Sequence, residues 1–299
     1  MPRTLDSKSN FLGLDKEFSS FEKSKVVILP APYESTVSYG RGTKKGPAAI
    51  LEASRYVEFF DEETKREIHR ERGIATLAPL DFSKKKDAAA VQLLHDVVAD
   101  LLAGDKFIVT IGGEHTVSIG SIAAYAKKYS DLSVLQFDAH SDLRPEYGGN
   151  KFSHATVMAR VCEFLDPKRL VQVGIRSQAR EEAEFTRENG VHTYYAHEIR
   201  GGKYTRLLRY WDDAAIENLT DHVYVTFDVD GLDPSIMPST GTPEPNGLLW
   251  SEVTQCLRKL SQRRKIVGFD IVELAPIAGL HHPDFTAAKL ISRILNYAL

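Results

Sequence analysis

Short apolar runs rich in Val, Ile and Phe recur along the chain, and stretches with helical spacing separate them. Six runs read as strands: Lys25 to Pro32, Lys106 to Gly113, Leu132 to His140, Arg169 to Ser177, His222 to Asp230 and Lys265 to Leu274. Two weaker runs, GIATLAPL from Gly73 and VHTYYA from Val191, read the same way. Helices are expected in GPAAILEASRYVEFF, with Pro47 near its start, and from Asp87 to Asp105, with Gly104 as the C-terminal cap. Two more are expected in SEVTQCLRKLSQ, opening at Ser251, and in the final FTAAKLISRILNYAL. Near-continuous apolar strands alternating with helices predict an α/β fold: three layers, α/β/α, around a mainly parallel sheet. No repeat or linker divides the chain, so one domain over residues 1–299 is expected, with 1–24 as an N-terminal extension.

In such sheets ligands bind beyond the carboxyl ends of the strands. Polar residues collect there. KFIVTIGG runs into Glu114 and His115, LSVLQF into Asp138, His140 and Asp142, HVYVTF into Asp228 and Asp230, and KIVGFDIV into Glu273. Side chains alternate along a strand, so Asp138 with His140, and Asp228 with Asp230, are expected to project together. Asp142 would lie where strand gives way to loop and could curl back.

Four carboxylates gathered in one cleft repel one another, each close pair by about 4 kcal/mol at an effective dielectric near 20. They must take up protons, pair with bases or bind cations. No Lys or Arg pattern accompanies them, which makes divalent cations the economical answer, with His115 and His140 completing an N/O donor set. Such a set favours Mn²⁺ over a structural Zn²⁺, while spacing leaves Fe, Co, Ni and Zn open. A single Asp at a strand end is ordinarily a cap or turn former. His69, His95, His192, His197 and His222 lack carboxylate motifs and read as structural or surface residues, and His281 and His282 as non-catalytic. The joint pattern at four strand ends is what demands a site.

Composition narrows the field. The 299 residues are 42% hydrophobic and 26% charged, with a net charge of −3, so no basic excess points to nucleic acid or an anionic membrane. Two cysteines, Cys162 and Cys256, without a CxxC, fit a reducing compartment. The polar start MPRTLDSKSN is not a signal peptide and no apolar run reaches a membrane span, so a cytoplasmic protein is expected. Gly40 to Gly46 imitates a dinucleotide loop with the wrong glycine spacing, and neither a G-x-S-x-G elbow nor a Walker A loop is present.

GGEHT, DAHSD and DVDGLDPS…GTP, in this order, resemble the three signatures of the ureohydrolases, the arginases, agmatinases and their relatives. The resemblance runs from about Val26 to the C-terminal helix. It implies an arginase-like fold with two Mn²⁺ per chain. His115, Asp138, Asp142 and Asp228 would hold one ion, and Asp138, His140, Asp228 and Asp230 the other. It also implies a proton-shuttling histidine near the substrate at His154, a guanidinium partner at Glu273 and a pocket-lining threonine at Thr242, with Asp142 as a second candidate proton carrier. The third signature departs from the usual pair of glycines, with Asn246 in place of the first. Homotrimers or homohexamers are the family's usual assemblies.

The stretch LRPEYGGNKFSHATVM after DAHSD resembles bacterial and archaeal agmatinases more than arginases, whose loop grips an α-carboxylate and α-amine. The implied reaction is hydrolysis of agmatine to putrescine and urea, a polyamine-forming step. Glu146 and Tyr147 are candidates for an acidic or aromatic wall around the amine. Arginine, guanidinobutyrate, aminopropylagmatine and formimidoylglutamate remain alternative substrates, and Arg144 keeps a distal carboxylate in play. Outside the class stand a single-zinc deacetylase of related fold and an inactive metal-binding relative.

Overall fold

A computed structural model describes residues 2–206 and 210–299. Eight parallel strands form one sheet: β1 Val26–Ala31, β2 Ile74–Thr76, β3 Phe107–Gly112, β4 Ser133–Phe137, β5 Leu170–Ile175, β6 His192–Tyr195, β7 His222–Asp228 and β8 Lys265–Val272. The order across the sheet is β2-β1-β3-β8-β7-β4-β5-β6. Every expected strand is present, including the two weak ones, and every pairing is parallel.

Both faces of the sheet are covered, which explains why its strands read as unbroken apolar runs. On one face Val109, Leu135, Val225 and Phe269 pack under helices Gly46–Ser54, Trp250–Arg263 and His282–Ala298. On the other, Val27, Ile108, Val134 and Tyr224 pack under Ala88–Ala103, Val117–Lys128 and Val157–Val161. Residues preceding β1 join the first core: Phe11, Leu12 and Leu14 are buried, and Leu5 N–H donates to Thr76 O at 2.8 Å. Among the described residues no helix is long and apolar enough to cross a membrane.

Some local expectations are corrected. The helix expected to open at Ser251 starts at Trp250, because Glu252 accepts a hydrogen bond from Leu249 N at 2.7 Å and closes the first turn. The strand carrying Asp138 ends at Phe137, and Val229–Gly231 is a 3-10 turn. Apart from Asp228, the last residue of β7, the acidic residues are therefore not presented by strand alternation.

Strand order positions the site. The chain lays β4 three places away from β3, and β7 and β8 later fill the two positions between them. The polar tips of β3, β8, β7 and β4 thus become neighbours at the middle of one sheet edge.

Candidate active site

Asp138 is fully buried just past β4, and its two oxygens point to different partners. Oδ2 lies 3.3 Å from His115 Nδ1, and Oδ1 lies 3.5 Å from His140 Nδ1. Around the first imidazole stand Asp142 Oδ2 at 2.9 Å and Asp228 Oδ2 at 3.7 Å. Beside the second stands Asp230 Oδ2 at 3.0 Å. Potential ligand atoms of His115, Asp138 and Asp142 all lie within 4.8 Å of one another, as do those of Asp138, His140 and Asp230. The structure therefore brings together all six residues expected to bind metal. Asp138 faces both groups, while Asp228 is seen at this range only from His115.

Local backbone explains how. Asp142 adopts a left-handed conformation, φ 53°, and its carbonyl accepts from Met158 N (2.9 Å) and Ala159 N (3.1 Å) at the start of helix Val157–Val161. The loop is folded back on itself by those bonds. Asp228 Oδ1 accepts from Asp230 N at 2.9 Å, and Asp230 Oδ1 accepts from Ala139 N at 3.0 Å, which ties the two acidic loops together. Glu273, just past β8, is also left-handed at φ 66°, and its Oε1 accepts from His115 N at 2.6 Å. Non-glycine residues held there cost about 1–3 kcal/mol each, and they cluster where a site needs a particular direction. In GGEHT, a Cβ at Gly113 would fall 2.0 Å from Tyr33 O, so glycine lets the neighbouring loop close over the strand end.

Whether this donor set fits cations can be tested on His115. Thr226 donates its single hydroxyl proton to Asp270 Oδ1 at 2.7 Å. Its oxygen then accepts from His115 Nε2–H at 2.9 Å, a tautomer assigned from the network. In the neutral ring Nδ1 is then a lone pair amid three carboxylates, and no hydrogen bond links it to them despite their closeness. Such an arrangement is repulsive unless a cation stands between the donors. Protein groups alone would have to hold protons instead: against burial, Asp138 and Asp142 hold the His115 imidazole well above its ordinary range, and burial, then Asp138, pushes Asp142 up to about 7. Burial and Asp230 push Asp228 well above the carboxylate range. The residues fit divalent cations, and imidazole plus carboxylate with no thiolate suits Mn²⁺ among others.

The residues that support the cage carry no strand-end motif in the sequence. Thr226 and Asp270 orient His115 from behind, and Tyr224 OH donates to Asp270 Oδ2 at 2.8 Å. Gln136 Nε2 donates to Asp138 Oδ2 at 2.7 Å, and Gln172 Nε2 donates to Gln136 Oε1 at 2.7 Å. Arg176 donates to the carbonyls of Asp230 (2.6 Å) and Glu244 (2.9 Å), stapling the acidic loop to the cavity rim. Replacing Thr226 with Val should weaken apparent Mn²⁺ affinity by about 10–100-fold, the usual cost of an outer-shell change. A titration of activity against free Mn²⁺ reads this directly, and an unchanged midpoint would remove Thr226 from the account.

A cavity of about 280 Å³ opens over the cage, and Tyr39, Arg144, Tyr147, His154, Thr242, Glu244 and Glu273 are among the residues lining it. His154 is held by Thr36, whose Oγ1 lies 3.1 Å from its Nδ1, and burial lowers its pKa to about 4. Glu146 does not line the cavity. It is exposed, because Tyr147 and Asn150 pair across a tight turn at Gly148 and Gly149 and only Tyr147 faces inward. Arg144 is drawn to Glu181 (3.6 Å) and Glu182 (3.8 Å). Asn246 takes φ 67°, the left-handed conformation that Gly and Asn both tolerate, so the departure in the third signature keeps the turn.

The geometry has a counterpart among known proteins. The Arginase family model matches residues 24–296. The chain belongs to the arginase family. Within it, the chain is similar to an N(1)-aminopropylagmatine ureohydrolase of Synechocystis sp., 37% identical over 98% of this chain and 97% of that one. It is also similar to an agmatinase of Bacillus cereus, 36% identical over 94% of each. The crystal structure of agmatine ureohydrolase of Thermoplasma volcanium superposes with a TM-score of 0.84 at 30% identity, covering 94% of this chain and 92% of that one. The arginase-family fold expected from the three signatures is the fold observed.

Proposed function

We propose that this arginase-family ureohydrolase binds two divalent cations, Mn²⁺ by its donor set, and hydrolyses the guanidinium of agmatine to putrescine and urea. His115, Asp138, Asp142 and Asp228 would hold one ion, and Asp138, His140, Asp228 and Asp230 the other. The observation that carries the reading is Asp138, whose two oxygens face two separate imidazole-carboxylate groups. When bound, a cation pair supplies Lewis acidity and lowers the pKa of water to near neutrality.

The chain's own groups do the rest. Glu273 lines the cavity, and burial and Glu114 hold its carboxyl well above the usual range. A guanidinium arriving beside it restores the ionised form, and a charge-assisted pair fixes the planar group in place. His154 stays neutral at physiological pH. Thr36 donates to Glu114 Oε1 at 3.1 Å, so its oxygen accepts from His154 Nδ1–H. Nε2 is therefore the ring atom left to take up a proton and pass it to the leaving amine. Asp142 is the second candidate carrier, and Thr242 forms part of the wall.

The substrate tail follows from charge. Arg144, the lining residue best suited to an α- or distal carboxylate, faces Glu181 and Glu182, which supports a tail without a carboxylate. Agmatine has such a tail. The aminopropyl derivative has one too, and the similarity to the Synechocystis protein favours it as the second reading. Urea release by the Mn²⁺-loaded protein should be at least about 100-fold more efficient, by kcat/KM, with agmatine or aminopropylagmatine than with arginine or guanidinobutyrate, the scale of about 3 kcal/mol for a misplaced charge. Comparable turnover of arginine would overturn the agmatine reading.

A further inference from the structure

Four of the carboxylates lining the cavity already have work. Asp142, Asp228 and Asp230 face the imidazoles of the cage, and Glu273 accepts from His115 N. Glu182 is committed as well: its oxygens accept from Leu143 N at 2.9 Å and Ala179 N at 2.6 Å, with Arg144 nearby at 3.8 Å. Glu244 differs from all of these. Its backbone is anchored, its N–H donating to Thr242 O at 2.9 Å and its carbonyl accepting from Arg176 Nε at 3.2 Å and Nη2 at 2.9 Å. Pro243 and Pro245 flank it and restrict the chain on either side. Yet its carboxylate enters no hydrogen bond or ion pair among the described residues.

A fixed backbone with an uncommitted charge is the form of a recognition group rather than a structural one. The rim around it is also built to hold still. Gly40 N donates to Gly241 O at 3.1 Å, and a Cβ at Gly40 would fall 2.8 Å from that oxygen, so the loop bearing Tyr39 closes directly on the loop bearing Glu244. Among the described residues neither Lys nor a second Arg lines the cavity, and the nearby Arg176 guanidinium spends its hydrogen bonds on the Glu244 carbonyl rather than on the carboxylate.

We propose that Glu244 is the counter-ion for a cationic nitrogen at the far end of the substrate, and so a specificity-determining residue. The proposal rests on the guanidine-hydrolase reading and deepens it. Glu273 receives the guanidinium, Glu244 the distal ammonium, and a distal carboxylate is repelled. An aminopropyl extension keeps a cationic nitrogen at the same position along the tail, so both favoured substrates satisfy it.

The test compares agmatine with butylguanidine, its neutral-tailed counterpart, and with guanidinobutyrate, its anionic one. In Glu244→Gln, the ratio of kcat/KM for agmatine over butylguanidine should fall about tenfold, mainly through KM, the scale of one charge-assisted contact. In Glu244→Lys, the ratio for agmatine over guanidinobutyrate should fall by at least about 100-fold. The unaltered protein gives an independent reading. Its KM for agmatine should rise with salt more steeply than its KM for butylguanidine. Unchanged ratios and parallel salt responses in an active enzyme would overturn the role of Glu244 alone. A metal-loaded protein that releases urea from neither guanidine would overturn the guanidine reading, and this proposal with it.

Discussion

Asp138→Asn should reduce urea release by on the order of a thousandfold or more, well beyond the ~10–100-fold of an outer-shell change. Asp138 offers one oxygen to the group around His115 and the other to the group around His140. An amide has one oxygen and one NH₂, so it can serve one group and must present hydrogens to the other. Its nitrogen would also face either Gln136 Nε2 or His140 N–H, donors that the carboxylate now satisfies at 2.7 and 2.6 Å. Metal analysis of the variant should find fewer than two ions per chain. Two tightly held ions together with near-normal turnover would remove Asp138 from the bridging position.

Glu273→Gln should behave differently: full metal content, but kcat/KM for the guanidine lower by about 100–1,000-fold, the range for one preorganised electrostatic partner. The amide oxygen can still accept from His115 N, so the loop has no reason to collapse. Stability gives a second signature. Burial raises the Glu273 carboxyl in the folded protein well above its unfolded value. The folded state thus binds the proton more tightly, and the wild type loses stability as pH rises from the unfolded pKa, about 4.3, through the raised folded one. Gln carries no such penalty. Melted without metal, the variant should match the wild type near pH 4 and melt at a higher temperature near neutral pH. Equal melting temperatures across that range would show that Glu273 is ionised at no cost.

The sheet was legible in the sequence because both of its faces are buried, so even a three-residue strand such as Ile74–Thr76 reads as apolar. Helix Val117–Lys128 escaped notice because eight of its residues are buried around most of its circumference, which erases the usual stripe. Its Gly120 packs against the backbone of Val91, a contact no periodicity reveals. The six cage residues were legible because each sits at the end of an apolar run. The geometry expected for them was not right in detail: loops past Phe137 and Asp228, rather than alternating strand positions, turn the side chains together.

What stayed hidden depends on strand order. Thr226 and Asp270 meet His115 only because β7 and β8 are inserted between β3 and β4. A charged residue in the middle of the apolar run GFDIV was the available signal for Asp270. Arg176 gave none, since its partners are backbone carbonyls. Glu146 misled because neighbours in a tight turn point opposite ways, and the sequence does not say which of Glu146 and Tyr147 faces the cavity.

In the proposed function two cations and one guanidinium partner act together in this cavity. Urea release from agmatine, followed while metal-free protein is titrated with Mn²⁺, measures both at once. Turnover should be negligible without metal and should rise to a plateau at two bound ions per chain. A plateau at one ion, or full activity in the presence of a chelator, would contradict the proposed function.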